Sequence, residues 1–401
     1  MIKIEDYREV APRGAVDLIL RLAHRVQGRR FVHVSSTRYG VATAELPGAI
    51  VPIMNDLGID TAWEVISGDA AFFATTKALT AALEGEDRVL TESMLQDYLE
   101  MNRRSARTLA LEGDLIVIHD PAPASLVEGR GATGRWVWRC HLDLSAPQRR
   151  TWGFFGRFLS RYDAAVFSHP LFAPRLSVPQ FIVHPSIDPL SPRNRDLSRQ
   201  EIRTLREGLG VGDDKRFLLQ VGELDRRNDP VGAIAVYRLV KRHHDVRLVL
   251  AGVGAADGPD GAMVLDEVRT AAAHDGDIIV LELPPEAHAQ INALQRAAAV
   301  VLHRATRDRF GLEAAEAMWK GTPVIGRGGG GLAVQIIPEV TGYTVDSVEG
   351  AAFRVRQLLT NPELLARMGG AGREHVRRSF LLTRHLADYL ALMIHLTGRR
   401  P

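Results

Sequence analysis

The feature that most limits the fold of this chain is a regular alternation of short, β-branched or apolar runs with longer stretches of helical periodicity. Runs at 31–34, 62–66, 115–118, 136–138, 164–167 and 181–183 are too short for helices and lie between helical patterns. Such spacing calls for crossover connections, and crossovers build a parallel sheet. After a polar, proline-bearing stretch at 185–197 the alternation resumes at 217–221, 247–250, 278–281, 300–302, 323–325 and 343–345. The pattern predicts two α/β domains, 1–190 and 191–375. A length of 401 residues suits two domains that each bury a good core. Helix candidates include 230–243, with Pro230 near its start where a missing N–H costs nothing, and 312–320. The last segment, 383–396, is amphipathic, and sequence leaves open which domain it packs on; 383–401 returning to the first is one arrangement. Open parallel sheets bind ligands outside the carboxyl ends of their strands, so a ligand cleft is expected between the two domains.

Charge narrows the partners. Lys plus Arg number 50 against 48 Asp plus Glu, and a net charge of +2 gives no field to hold nucleic acid or an anionic membrane. An anionic ligand must be bound locally. Acids at Glu5 and Asp6 interrupt the start where a signal peptide would be apolar, and no run approaches the ~18 apolar residues of a membrane span, so a cytoplasmic location is expected. The one cysteine, Cys140, sits in the strand-like stretch Trp136-Val-Trp-Arg-Cys and reads as a buried thiol. His243, His244 and His274 fall at helix ends and suggest no metal site. Gly326 to Gln335 is glycine-rich but follows a late strand, so it is no dinucleotide fingerprint.

The most informative stretch runs from Arg307 to Gly326, Arg-Asp-Arg-Phe-Gly-Leu-Glu-Ala-Ala-Glu-Ala-Met-Trp-Lys-Gly-Thr-Pro-Val-Ile-Gly. A strand ends before it, Gly311 makes a turn, and a helix begins near Leu312. The unpaired amides of the first helical turn, at the positive end of the dipole, suit a phosphate oxygen. Asp308 before the turn and Glu316 within the helix place one carboxylate toward a sugar ring and the other toward the hydroxyls of a ribose.

These residues resemble the retaining GT-B glycosyltransferases, whose nucleotide-sugar site carries E-x(7)-E in the setting E-G-F-G-L-x-x-x-E-A. The similarity is strongest to the trehalose glycosyltransferring synthases and extends along nearly the whole chain. It includes Ser35-Ser-Thr37, Ser67-Gly-Asp69, Val117-Ile-His-Asp-Pro121, Arg139-Cys-His-Leu-Asp143 and Pro185-Ser-Ile-Asp-Pro-Leu-Ser191. The resemblance implies two Rossmann-like domains facing a cleft, a nucleotide-sugar donor held by the second and a small sugar or polyol acceptor held by the first. It implies transfer of a glucose-like hexosyl group, without metal or cofactor. His141, Asp308 and Glu316 are the implied catalytic residues. Gly40, Gly222, Glu223, Asn228, Arg307, Arg309, Phe310, Gly311 and Leu312 are the implied donor contacts, and His119, Asp120 and Asp143 the acceptor contacts. A homodimer is compatible with the sequence.

Departures from the family pattern concentrate on the donor phosphates. In Val221-Gly-Glu-Leu-Asp-Arg-Arg-Asn-Asp-Pro230, Glu223 stands where the family has Arg and Asn228 where it has Lys. At an effective dielectric of 20, one charge about 4 Å from another is worth roughly 4 kcal/mol, so reversing a sign there is a large change. Val41 and Ala42 replace two glycines after Gly40, Asp308 replaces the first Glu of the pair, and Arg309 replaces a glycine. Arg38, Arg226, Arg227 and Arg309 are candidate replacement cations. Three readings stay open beside ordinary transfer: a non-catalytic sugar-binding or regulatory homologue, a pseudo-glycosyltransferase with a changed donor, and a phosphorylase.

Overall fold

In the structure, a computed structural model, residues 2–38, 42–253, 259–306 and 310–398 are described. The first six apolar runs form strands β1 (Arg30–Ser35), β2 (Asp60–Val65), β3 (Leu115–His119), β4 (Arg135–Cys140), β5 (Ala164–Phe167) and β6 (Gln180–Ile182). All neighbours are parallel, in the order β2-β1-β3-β4-β5-β6. β3 shows why: Leu-Ile-Val-Ile-His is buried at every position, as a parallel strand covered on both faces must be. Around the sheet lie α1 (Ala15–His24), α2 (Ala42–Asp56), α3 (Ala70–Leu83), α4 (Glu92–Thr108) and α5 (Arg149–Leu159). Asp69 caps α3 through Phe72 N and Thr91 caps α4 through Met94 N, so each helix starts where a short polar side chain can take an orphan amide.

Alternate residues of the strands serve different cores. Val32, Val34, Ile116, Ile118, Trp136, Trp138 and Cys140 join Phe72, Leu79, Tyr98, Phe155 and Phe158 in one apolar cluster. The opposite face of the same strands carries His33, His119 and Arg139, all buried.

Six more strands follow α6 (Arg199–Glu207): β7 (Arg216–Gly222), β8 (Val246–Val253), β9 (Ile278–Leu283), β10 (Val300–His303), β11 (Val324–Gly326) and β12 (Gly342–Thr344). Their order is β12-β11-β10-β7-β8-β9, again parallel. Counted from β7 this is the doubly wound Rossmann order, whose switch point lies between β7 and β10. In the first sheet the corresponding switch lies between β1 and β3. The second sheet carries α7 (Pro230–Lys241), α8 (Pro259–Ala272), α9 (His288–Ala297), α10 (Leu312–Trp319), α11 (Leu332–Gln335), α12 (Val348–Thr360) and α13 (Pro362–Ser379). Pro230 is the first residue of α7, behind an Asp229 cap in left-handed conformation (φ 49°). All twelve runs read from the sequence are strands, and the α/β class is borne out.

Contacts divide the chain into one unit of Met1–Ser186 with Leu382–Pro401 and another of Ile187–Leu381. The final helix, α14 (Leu382–Thr397), therefore belongs with the first unit. Thr397 O accepts from Arg29 Nη1 at 2.6 Å, His385 Nδ1 lies 2.9 Å from His184 O, and the Tyr389 ring lies 6.1 Å from that of His33. Among the described residues no helix is long and apolar enough to cross a membrane.

Candidate functional site

In the second unit the loop after β7 is built by Asp225. Its Oδ1 accepts from both the backbone N and Nδ2 of Asn228 at 2.9 Å, while Gln220 Nε2 donates to Asn228 O at 2.6 Å. Gly222 opens this loop at φ 148°, and a Cβ there would meet Asn228 Oδ1 at 3.2 Å, so the turn requires glycine. Asn228 is thus a turn lock with no charge to offer. Glu223 is exposed and has no side-chain partner among the described residues. Thr306 N donates to Arg227 O at 2.7 Å and ties the loop after β10 to the loop after β7, across the switch point.

Beyond β10, Phe310 is buried with its ring edge-on to Phe380 at 5.9 Å, and its carbonyl accepts from Gln335 Nε2. Gly331 packs against Phe310 so closely that a side chain there would clash with the Phe310 backbone. Gly311 follows at φ 71° as the N-cap of α10, and Leu312 is the helix's first residue. The glycine permits the left-handed turn that ends the loop and starts the helix. Arg307, Asp308, Arg309, Gly40 and Val41 lie outside the described residues, so of the carboxylate pair only Glu316 is placed. Glu316 is 5% exposed, with Oε1 accepting from Arg193 Nε at 2.7 Å and Oε2 from Gln295 Nε2 at 3.2 Å. Two of its roughly four lone-pair directions are therefore taken. Beneath it Lys320 Nζ donates to Asn194 Oδ1 at 2.8 Å and Gln295 Oε1 at 2.7 Å; burial pushes its pKa down to about 7.

Two cations at these strand ends were not singled out from the sequence. Arg304, directly after β10, is buried and donates to Val345 O and Asp346 O at 3.0 Å each; desolvation pushes its pKa down, opposed by Asp229. Arg327, directly after β11, is about one-third exposed and its Nη1 lies 3.9 Å from Asp229 Oδ2. Their signal was positional: each is the first residue beyond a parallel strand, at the carboxyl edge where ligands bind. Of the candidate replacement cations, Arg38 donates to Trp63 O at 2.9 Å with its guanidinium over the Trp63 ring, and Arg226 and Arg227 are exposed.

In the first unit the switch point is lined by histidines. His33 Nδ1 lies 3.0 Å from His119 Nε2, and His119 Nδ1 lies 3.5 Å from His141 Nε2, the last two rings being within 13° of parallel. His33 and His119 are each 1% exposed. Both ring nitrogens of His119 thus face other histidines. Burial lowers the His33 pKa to about 4, and burial with the charges of His33 and Arg139 lowers that of His119 well below the usual value. Asp120, in left-handed conformation at φ 62°, accepts from His141 N at 2.8 Å through Oδ1. Asp143 accepts from Ser145 N at 2.9 Å in the turn that follows. His33 was missed by sequence reasoning; its signal was one polar residue inside the apolar run Phe31 to Val34 of β1.

Residues 33–174 match the family described as trehalose synthase, N-terminal domain, and residues 201–375 match glycosyl transferases group 1. A trehalose synthase of Pyrococcus horikoshii is 38% identical over 402 residues, covering 99% of this chain and 97% of its own. A trehalose phosphorylase of Pleurotus pulmonarius is 24% identical over 450 residues, covering 98% of this chain and 60% of its own. A UDP-forming α,α-trehalose-phosphate synthase of Burkholderia xenovorans has the same fold, with a TM-score of 0.74 at 15% identity over 92% of this chain and all of its own. With its two parallel sheets and this end-to-end similarity, the chain belongs to the trehalose synthase family of glycosyltransferases, enzymes that act on sugars.

Proposed function

We propose that the protein transfers a glucose-like hexosyl group from a nucleoside-diphosphate sugar to a sugar or small polyol, with retention of anomeric configuration. One observation carries the reading: at the β7–β10 switch a glycine-capped helix and the cations Arg304 and Arg327 share one strand edge. Amides of the first turn of α10 would hold the diphosphate, the dipole contributing about 0.3–1 kcal/mol, with Arg327 as the accessible cation. Fixed donors that strengthen as the diphosphate departs would lower the barrier. The bond from the anomeric carbon to the diphosphate oxygen breaks, the acceptor oxygen bonds to that carbon, and the acceptor's proton leaves with the diphosphate. His141 would contact the hexose, with Asp120 holding its backbone. Asp143 would take an acceptor hydroxyl, and Asp308 and Glu316 would address the hexose and the ribose.

The substitutions at Glu223 and Asn228 weaken the donor site without abolishing it. Glu223 is exposed, so its repulsion at about 4 Å falls between the ~1 kcal/mol of bulk water and the ~4 kcal/mol of a dielectric of 20. That range corresponds to roughly fivefold weaker binding at its low end. The same pair of changes favours a second reading, phosphorolysis, in which inorganic phosphate occupies the first turn of α10 and no nucleotide is needed. Incubation with UDP-, ADP- and GDP-glucose plus glucose, followed by the anomeric protons of the product, tests the first reading. Formation of an α-linked disaccharide with release of the nucleoside diphosphate is expected. Failure of all three donors, with trehalose and phosphate instead yielding glucose and glucose 1-phosphate, would replace it by the second.

A further inference from the structure

The sheet of the first unit contains three histidines in a row, only the last of which the proposed function uses. A neutral imidazole has one N–H and one lone pair, so two successive ring-to-ring contacts among three neutral rings must run in the same direction. Either the hydrogens point from His33 to His141 or from His141 to His33. In the second arrangement the remaining hydrogen of the row sits on His33 Nε2, which is buried and has no partner among the described residues. A buried, unpaired N–H is the costlier orphan.

The row lies among other buried polar groups. Arg139 is fully buried, donates to Val183 O at 2.9 Å through Nη2, and leaves Nε and Nη1 without partners among the described residues. It acts electrostatically on both His119 and Tyr389, and the Tyr389 hydroxyl, also unpartnered there, is on the ring 6.1 Å from that of His33. Arg139 thus carries unpaired donors in the buried surroundings of His119, and the row is enclosed by polar groups that meet no solvent. At the other end Asp120 fixes the backbone of His141, so the last ring is anchored from two sides.

We propose that His33 and His119 are positioning residues that set the tautomer of His141 through a one-way hydrogen-bond chain. His33 Nδ1–H donates to His119 Nε2, His119 Nδ1–H donates to His141 Nε2, and His141 is held with its hydrogen on Nδ1. The nitrogen of His141 turned away from His119 is then an obligatory donor, suited to an oxygen acceptor and unsuited to accepting a hydroxyl proton. That this oxygen belongs to the transferred hexose rests on the hexosyltransferase reading; the tautomer does not.

The test is ¹⁵N–¹H long-range correlation spectroscopy of the full chain with labelled histidine at pH 7.5, above the ordinary imidazole range. The expected result is Nδ1–H on His33, His119 and His141, against the Nε2–H form that free imidazole side chains prefer. His33→Phe removes the head of the chain and should return His119 and His141 toward Nε2–H. If that variant does not fold, His119→Phe is read in the same way at His141. Nε2–H on His141 in the unaltered protein overturns the proposal, as does an Nδ1–H that persists in either folded variant. Three Nδ1–H rings in a protein with no hexosyl transfer would uphold the chain and count against the functional reading.

Discussion

Arg193 and Glu316, 123 positions apart, form a buried ion pair with Nε 2.7 Å from Oε1. The pair fastens α10 to the turn that precedes α6, and Gln295 takes the second oxygen of the same carboxylate. Glu316 therefore holds the helix in place.

Removal of one partner of this pair leaves a carboxylate in a poorly solvated position. Arg193→Ala should destabilise the second unit by about 3 kcal/mol, since breaking a buried pair from one side typically costs 3–5 kcal/mol and Lys320 can compensate part of it. Urea unfolding followed by tryptophan fluorescence measures this. Arg193→Ala with an unchanged midpoint would mean that the pair is not formed.

Acid should weaken the first unit through His33. Its pKa falls from 6.5 unfolded to about 4 folded, so between those values the unfolded chain binds a proton that the folded chain does not. Stability is lost as pH drops through that window, by up to about 3 kcal/mol for a shift of this size, and the loss levels off below it. His33→Gln should show a correspondingly shallower decline from pH 7 to pH 4.5 in urea midpoints. Equal slopes would show that His33 titrates normally.

The second sheet was readable in the sequence because parallel strands covered on both faces need near-continuous apolar runs, and Phe217 to Leu219 in β7 and Val300 to Leu302 in β10 supply them. Phe310-Gly311-Leu312 was likewise legible, since a glycine before an apolar helical repeat marks the turn that starts α10. The placement of α14 was not, because its amphipathic face fits either sheet and the choice rests on contacts such as Arg29 with Thr397. The row of histidines was hidden for the same reason. It depends on the register of β1 against β3, where His33 pairs with Val117 and Val34 with Ile118, and no local pattern specifies that register.

Arg327 should matter to the ligand and little to the fold. Its ion pair with Asp229 is long and partly exposed, a class worth 0–1 kcal/mol, so Arg327→Ala should leave the unfolding midpoint nearly unchanged. Binding of a nucleoside-diphosphate sugar, measured by calorimetry, should weaken about tenfold, as loss of ~1.4 kcal/mol would give. Undiminished affinity would exclude Arg327 from the diphosphate site.

The most direct measurement is titration of UDP-glucose, ADP-glucose and GDP-glucose into the unaltered protein and into Glu223→Arg with Asn228→Lys. If the loop after β7 is where the donor phosphates are met, restoring two cations there should tighten binding at least tenfold for one of the three. Each single change should contribute less than half of that free energy, because Asn228→Lys alone leaves Glu223 to neutralise the new charge and Glu223→Arg alone supplies one cation. A folded double variant that binds all three donors no better than the parent would contradict the account and place the donor phosphates elsewhere.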